Sequence, residues 1–342
     1  MQALVLAGGE GTRLRPLTLS VPKPVMPLAG RPFLSFMLDW LTSHGVGETI
    51  LSCGYRSDAV REVLGDAHGG MRLHYVVEEE PLGTAGPVRL AADEGLLADR
   101  LLILNGDTLT DADLTAEVAQ HEETGAEATL GLVAVEDTSS YGVVPTGADR
   151  RVEAFLEKTA NPPTNRINAG AYVIERSVVE RIEPGRAVSF EREVFPAMAA
   201  EGVLYGYAAE GYWIDIGTPE RYMEATFDLL ARRVASTLPP SDETGSLIYP
   251  GCITSGARIG PHAVLGEHCS VGEGSVVEES VLHRSVRVGR DCTIRSAVLA
   301  EGVRVGDGAS VEAGAMVGAG AVVAAGARVE PDARVAPGEE VA

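Results

Sequence analysis

The stretch LAEGVRVGDGASVEAGAMVGAGAVVAAGARVEPDARV, from Leu299 to Val335, places an aliphatic residue at every sixth position: Leu299, Val305, Val311, Val317, Val323, Val329 and Val335. Upstream the same spacing runs through Ile253, Ile259, Leu265, Val271 and Val277. It then takes a five-residue step to Leu282, continues through Val288 and Ile294, and takes another five-residue step to Leu299. Four residues after most of these positions stands a small side chain, as at Ala257, Ala263, Cys269, Ser275, Cys292, Ala309, Ala315, Ala321, Ala327 and Ala333. One residue earlier stand Gly256, His262, His268, Gly274, Asp291, Gly308, Gly314, Gly320, Gly326 and Asp332, types that tolerate positive φ in a tight turn. One large aliphatic, one turn residue and one small residue per hexapeptide build a triangular parallel β-solenoid, with the aliphatic pointing inward on each side. Fifteen such sides make about five coils.

Working outward, Ser236 to Gly245 reads STLPPSDETG, whose prolines and polar residues mark a linker. The expected organisation is therefore a domain over 1–235, a linker over 236–246 and the solenoid over 247–342. The first domain alternates β-rich runs with helical stretches. Strands are predicted at Gln2 to Leu6, Thr49 to Cys53, Leu73 to Glu78, Leu101 to Leu104 and Ala128 to Val135. Helices are predicted at Pro32 to Ser43, Ser57 to Leu64, Thr84 to Ala92, Asp111 to Thr124 and Pro219 to Ala235. That alternation predicts an α/β fold, Rossmann-like, with a mixed, mainly parallel sheet whose ligands bind at the carboxyl ends of the strands. The solenoid resembles the left-handed parallel β-helix of the hexapeptide-repeat family.

Composition narrows the function. With 49 Asp plus Glu against 28 Lys plus Arg, the formal charge of the 342 residues is −21, which repels nucleic acid and anionic lipid. No apolar run approaches the ~20 residues of a membrane helix, and the N-terminus lacks a basic region before its apolar stretch, so a cytoplasmic location is expected. Four cysteines at 53, 252, 269 and 292 form no metal-ligand spacing and are expected to be buried, reduced thiols. Of the 28 basic residues only Lys23 and Lys158 are lysine. A compact ammonium on a thin stem enters narrow sites that a guanidinium cannot, and it meets a phosphate oxygen as a point charge.

After the first strand comes LAGGEGTRLRPLT, Leu6 to Thr18. Gly8, Gly9 and Gly11 allow backbone N–H groups to approach a polyphosphate, and Arg13 adds a fork of donors. The stretch lacks the Gly-Lys-Ser/Thr of a Walker loop and the third glycine of a dinucleotide fingerprint, and a tight βα turn would read similarly. Ten residues on, Lys23 stands among three prolines in VPKPVMP, which stiffen its segment.

On these residues the chain resembles the sugar-1-phosphate nucleotidyltransferase family, whose signature loop, Arg and Lys match Gly8, Gly9, Gly11, Arg13 and Lys23. The resemblance implies that Leu6, Ala7, Thr12, Glu78, Gly83, Thr84 and Asp107 also contact the nucleotide, Glu78 and the PLGTAG run from Pro81 to Gly86 reading the base. It implies Mg²⁺ on Asp107, at the end of LLILNGD, and on Asp215, in YWIDIGTPERY. A turn or cap aspartate is the alternative for Asp107, with Asp111 the better candidate for the helix cap. Glu157 and Lys158, in FLEK, would bind sugar hydroxyls and the sugar phosphate, and Gly142, Asn168 and Gly170 would complete the sugar pocket. The family has proline after that lysine where this chain has Thr159.

Arg13, Lys23, Asp107 and Asp215 are thus the expected catalytic set, acting on a nucleoside triphosphate and a sugar 1-phosphate. Within the family, EEEPLGTAGP, INAGAYVIE and SFEREVFPAMAAEGVLYGY are most similar to mannose-1-phosphate guanylyltransferases. The alternatives are a glucose-1-phosphate thymidylyl- or uridylyltransferase, a non-catalytic regulatory homologue that binds the sugar nucleotide, and acyl transfer on the solenoid through His262, His268 or His283. The open ends of a solenoid lead us to expect a homo-oligomer.

Overall fold

The computed structural model describes residues 1–54, 56–157 and 161–342, and of Glu157 the backbone only. Lys158 and Thr159 lie outside the described residues. The chain divides into two compact units. One comprises Met1–Gly9 with Met37–Trp213, the other Glu10–Phe36 with Ile214–Ala342.

In the first unit β1 (Gln2–Leu6) lies parallel between β2 (Glu48–Cys53) and β4 (Arg100–Asn105), with β3 (Met71–Val77) parallel outside β2. Gln2 stands opposite Glu48 on one side and Leu101 on the other. Ala3, Leu4, Val5, Ile50, Leu51 and Leu101 to Leu104 are all buried, as strands covered on both faces require. Beyond β4 the parallel order ends. There β6 (Arg166–Glu175) runs antiparallel to both β4 and β5 (Ala128–Ala134), and β7 (Leu204–Ala208) pairs parallel with β5. The sheet is mixed and mainly parallel, flanked by α1 (Ser57–Leu64), α2 (Gly86–Asp93) and α3 (Leu114–Thr124).

The cap of α3 is Asp113, whose side chain accepts the Ala116 N–H at 3.0 Å, and not Asp111. The reason is that the chain is still extended at Asp111. Thr110 Oγ1 donates to the Tyr212 carbonyl, the Asp111 N–H reaches the same carbonyl, and Asp111 Oδ1 accepts from the Tyr212 N–H at 2.7 Å. From α3 the fully buried Glu117 faces Gly131 of β5, and burial pushes its carboxyl well above the usual carboxylate range.

The second unit carries the solenoid, whose parallel ladders hold six, five and five strands. From Leu265 to Val335 every repeat-position aliphatic is buried. All ten turn residues named from the sequence have positive φ, His262, His268, Asp291 and Asp332 included. Ile253 departs from the pattern and is 64% exposed. It stands opposite Ser270 rather than Val271, and Cys252 takes the inner place against the solenoid core. A one-residue change of register turns a side chain to the other face of the strand.

Also in this unit is α4 (Pro219–Leu230), capped by Thr218, whose hydroxyl accepts the Arg221 N–H. It stops at Leu230, short of the expected Ala235. Past it Arg232 has φ +58 and the Arg233 N–H turns back to the Asp228 carbonyl. All four cysteines are free thiols, and burial pushes Cys53 and Cys269 up to about 12. No helix among the described residues is long and apolar enough to cross a membrane.

Candidate active site

In the first unit the carboxyl ends of three strands converge through backbone bonds. Ala7 N–H donates to the Ser52 carbonyl at 2.8 Å, and Gly106 N–H donates to the Leu6 carbonyl at 2.9 Å. A Cβ at position 106 would lie 2.6 Å from that Leu6 oxygen, so only glycine lets β4 end against β1 in this way. The half-buried Asp107 follows immediately, at the root of the Gly8–Gly9 turn. The glycine of the NGD motif therefore seats Asp107 one residue past the point where β4 meets the end of β1.

Glu78 serves this same corner. Its Oε1 accepts from Ser52 Oγ at 2.8 Å and its Oε2 from the Leu82 N–H at 3.1 Å, while a Cβ at Gly8 would meet Oε1 at 2.9 Å. The carboxylate thus ties the segment after β3 to the end of β2 beside Gly8. Gly83, in that segment, packs on the Val188 carbonyl, which a Cβ there would meet at 2.5 Å.

The residues expected around the sugar lie on a distortion of β6. Asn168 pairs with Leu132 and Tyr172 with Leu130, so three residues, Ala169 to Ala171, stand opposite the single Gly131. Bulges of this kind re-aim side chains next to binding sites. Gly170 has φ +73 and packs on Asn105, whose Nδ2 a Cβ would meet at 2.5 Å. Trp213 Nε1 donates to the Ala169 carbonyl at 2.8 Å, and the Tyr141 ring stands edge-on to Trp213. Gly142 pairs with Glu157 through the backbone.

A part-buried chain of polar side chains links this loop to the segment that carries Thr84. Asn168 Nδ2 donates to Tyr172 Oη at 2.8 Å, and the fully buried Tyr172 hydroxyl donates to Glu191 Oε1 at 3.3 Å. Glu191 Oε2 accepts from Thr84 Oγ1 at 2.6 Å and Ser189 Oγ at 2.7 Å, and Thr84 Oγ1 in turn accepts the Phe190 N–H. Glu191 sits in a π-helical turn, Phe190–Val194, a rare form that is frequent at functional sites. The sequence reading quotes the SFEREVFP segment but assigns no role to this glutamate. Nothing in the sequence separates Glu191 from its neighbour Glu193, since the two acids flank Arg192 in one short stretch.

Removing that carboxylate leaves the hydroxyls of Thr84 and Tyr172 without their common acceptor. Glu191→Ala is expected to raise KM for both substrates by roughly tenfold, with Glu191→Gln recovering part of the loss. Initial rates with each substrate varied in turn check this. A change confined to one substrate would remove the linking role.

In the second unit Lys23 is 8% exposed and opens a 3₁₀ turn, Lys23–Val25, between Pro22 and Pro24. Its stem lies against Gly11, where a Cβ would come within 3.1 Å of Lys23 Cβ, and Thr18 Oγ1 donates to the Gly11 carbonyl. Thr12 and Arg13 are exposed. Arg13 and Asp215 converge on Gly217, since a Cβ there would lie 2.7 Å from both Arg13 Nη2 and Asp215 Oδ1. A cation and an acid from opposite ends of the catalytic sequence thus share one surface of this unit.

Carboxylate oxygens suit a hard cation. Among the described residues no group of three or more His, Cys, Asp or Glu is placed to hold a metal ion. Mg²⁺ is commonly held by one or two protein carboxylates, with substrate phosphates and water completing its shell. Asp107 of the first unit and Asp215 of the second are each an acid of the kind that requirement calls for.

Comparison with known proteins finds two families along the chain. Residues 2–232 match the nucleotidyl transferase family, and residues 240–321 match the GlmU-like C-terminal hexapeptide family. The chain is 42% identical over 298 residues to the mannose-1-phosphate guanylyltransferase of Mycobacterium tuberculosis, covering 86% of this chain and 83% of that protein. It is 37% identical over 279 residues to the mannose-1-phosphate guanyltransferase of Schizosaccharomyces pombe, covering 79% and 74%. Among solved structures, HddC from Yersinia pseudotuberculosis, crystallised in complex with GMP-PN, superposes with a TM-score of 0.59 at 30% identity. It covers 67% of this chain and 99% of that one.

Proposed function

The chain belongs to the nucleotidyl transferase family, and we propose that it transfers the guanylyl group of GTP to mannose 1-phosphate, forming GDP-mannose and pyrophosphate. The observation that carries this reading is the 42% identity to a mannose-1-phosphate guanylyltransferase over most of both chains. It is supported by the NGD aspartate seated just past the point where β4 meets the end of β1 and by the lysine buried beside Gly11.

A non-bridging oxygen of the sugar phosphate attacks the α-phosphorus of the nucleotide. The bond to the β-phosphate breaks, and its electron pair leaves with pyrophosphate. The attacking monoester has a second pKa near 6 and is dianionic at neutral pH, so the protein need supply no general base. Its task is to hold two anions together and to stabilise the charge that grows on the leaving group.

In this reading Arg13 and Lys23 bind the departing pyrophosphate, and Lys158 holds the nucleophile. Asn168, Gly142 and Glu157 orient the sugar, with Gly170 shaping their loop. The loop from Leu6 to Thr12, with Glu78, Gly83 and Thr84, holds the nucleotide. Asp107 and Asp215 would each give a hard oxygen to Mg²⁺, which when bound neutralises phosphate charge.

Pyrophosphate release measured for GTP, dTTP and UTP, each with mannose 1-phosphate and glucose 1-phosphate, tests the assignment. GTP with mannose 1-phosphate is expected to exceed every other pair in kcat/KM by at least roughly tenfold. A faster reaction of dTTP or UTP with glucose 1-phosphate would reassign the substrates. No turnover with any pair would point to the non-catalytic homologue.

A further inference from the structure

The turn that carries Lys23 runs straight into a hairpin held by the solenoid. Met26 N–H donates to the Lys23 carbonyl and Phe33 N–H to the Met26 carbonyl, closing Pro27–Leu28 against Arg31–Pro32. Two carbonyls of this hairpin each accept a tyrosine hydroxyl. Tyr222 of α4 donates its hydroxyl to the Pro27 carbonyl at 2.7 Å, and Tyr249 of the first coil donates to the Ala29 carbonyl at 2.8 Å. The Tyr249 ring lies flush on Gly30, where a Cβ would fall 2.2 Å from Cε2. Arg31 Nη1 donates to Thr237 Oγ1 at 2.5 Å.

A second solenoid residue supports the first tyrosine. His283 follows Leu282 at the end of a solenoid strand, and its Nε2 lies 3.0 Å from Tyr222 Oη. The tyrosine proton is committed to the Pro27 carbonyl, which assigns the Nε2–H tautomer to His283, donating to Tyr222 Oη. The histidine is buried, and burial holds it down to about 4, so it stays neutral. Ala29 has φ +46, a conformation strained for a non-glycine residue that persists only where the surroundings impose it. Leu28 and Ala29 are wholly buried. Two hydroxyls and a ring thus bear on the Pro27–Gly30 hairpin that follows the Lys23 turn, with the imidazole behind the first hydroxyl.

We propose that Tyr222, Tyr249 and His283 are positioning residues for the transfer reaction, fixing the Pro27–Gly30 hairpin so that Lys23 is held where the leaving pyrophosphate must be met. The solenoid is then a working part of the catalytic apparatus, and His283 serves that role rather than acyl transfer. The proposal rests on the reading of Lys23 as the leaving-group cation.

The test is a double-mutant cycle. Tyr222→Phe and Tyr249→Phe keep each ring and remove one hydroxyl. Either is expected to lower kcat roughly tenfold with little change in KM for the sugar phosphate, since a small misplacement of a charge acting in the transition state costs rate. In a Lys23→Met background the same substitutions should change kcat less than about twofold, because the group they position is gone. A full tenfold loss in that background, or no loss in the native one, would overturn the proposal while leaving the Lys23 reading intact. Native rates for Lys23→Met alone would overturn both. Two tyrosines on different elements guard against one variant failing to fold.

Discussion

Asp107→Asn is expected to lower kcat at least about 100-fold, the usual scale for an electrostatic catalytic group and equivalent to about 2.7 kcal/mol of barrier. The substitution keeps shape and volume and removes one charge. Asp107 is half-buried and follows a glycine whose backbone is bonded to the end of β1, so little can relax to bring another carboxylate into its place. The folded chain should be nearly as stable as the native one, and thermal melting recorded beside the rates separates lost chemistry from lost structure. The apparent requirement for Mg²⁺ should rise in parallel. Rates like those of the native chain at low Mg²⁺ would refute the assignment of this aspartate to the metal.

Lys23→Met is expected to cost a similar factor, roughly 100-fold in kcat, with a smaller effect on KM for the sugar phosphate. Methionine preserves the thin apolar stem that packs along Gly11 and deletes only the ammonium. Lys23→Arg should recover no more than about a tenth of the native rate. A planar guanidinium cannot follow a 3₁₀ turn closed by Pro22 and Pro24 and buried to 8% exposure. The composition points the same way, since 26 of the 28 basic residues are arginine and this position is not. Full activity in the arginine variant would show that the site has room and that bulk charge is sufficient.

Much of this architecture is legible in one dimension because the forces that set it are periodic or local. The solenoid repeats one physical problem every six residues, and its inward aliphatics from Leu265 onward, its small residues and its positive-φ turns follow directly. The lapse at Ile253 comes on the first coil, where pairing with Ser270 in place of Val271 reverses the side chain, a choice of register that spacing cannot make. The parallel strands β1, β2, β3 and β4 announce themselves as short apolar runs, and the glycine loop follows the first of them. The antiparallel β6, the bulge over Ala169 to Ala171 and the cap at Asp113 do not, because each is decided by a partner strand far away in the chain.

The site divides along the same line. Gly8, Gly11, Arg13 and Lys23 could be proposed from the sequence because phosphate chemistry calls for recognisable residue types, and Asp107 and Asp215 through the family resemblance that those residues carry. Glu191 could not. Its importance lies in Thr84 being 107 positions away and Tyr172 being 19, and only folding brings their hydroxyls to one carboxylate. The same holds for Tyr222, Tyr249 and His283 around the hairpin. By itself the sequence determined the two architectures, since alternation and period are properties of the chain alone, and it offered the cations and acids that the proposed reaction would use. Tertiary structure alone decided which neutral and structural groups hold those charges in place. Hydrogen bonds and packing act over a few ångströms of space and carry no signature along the chain.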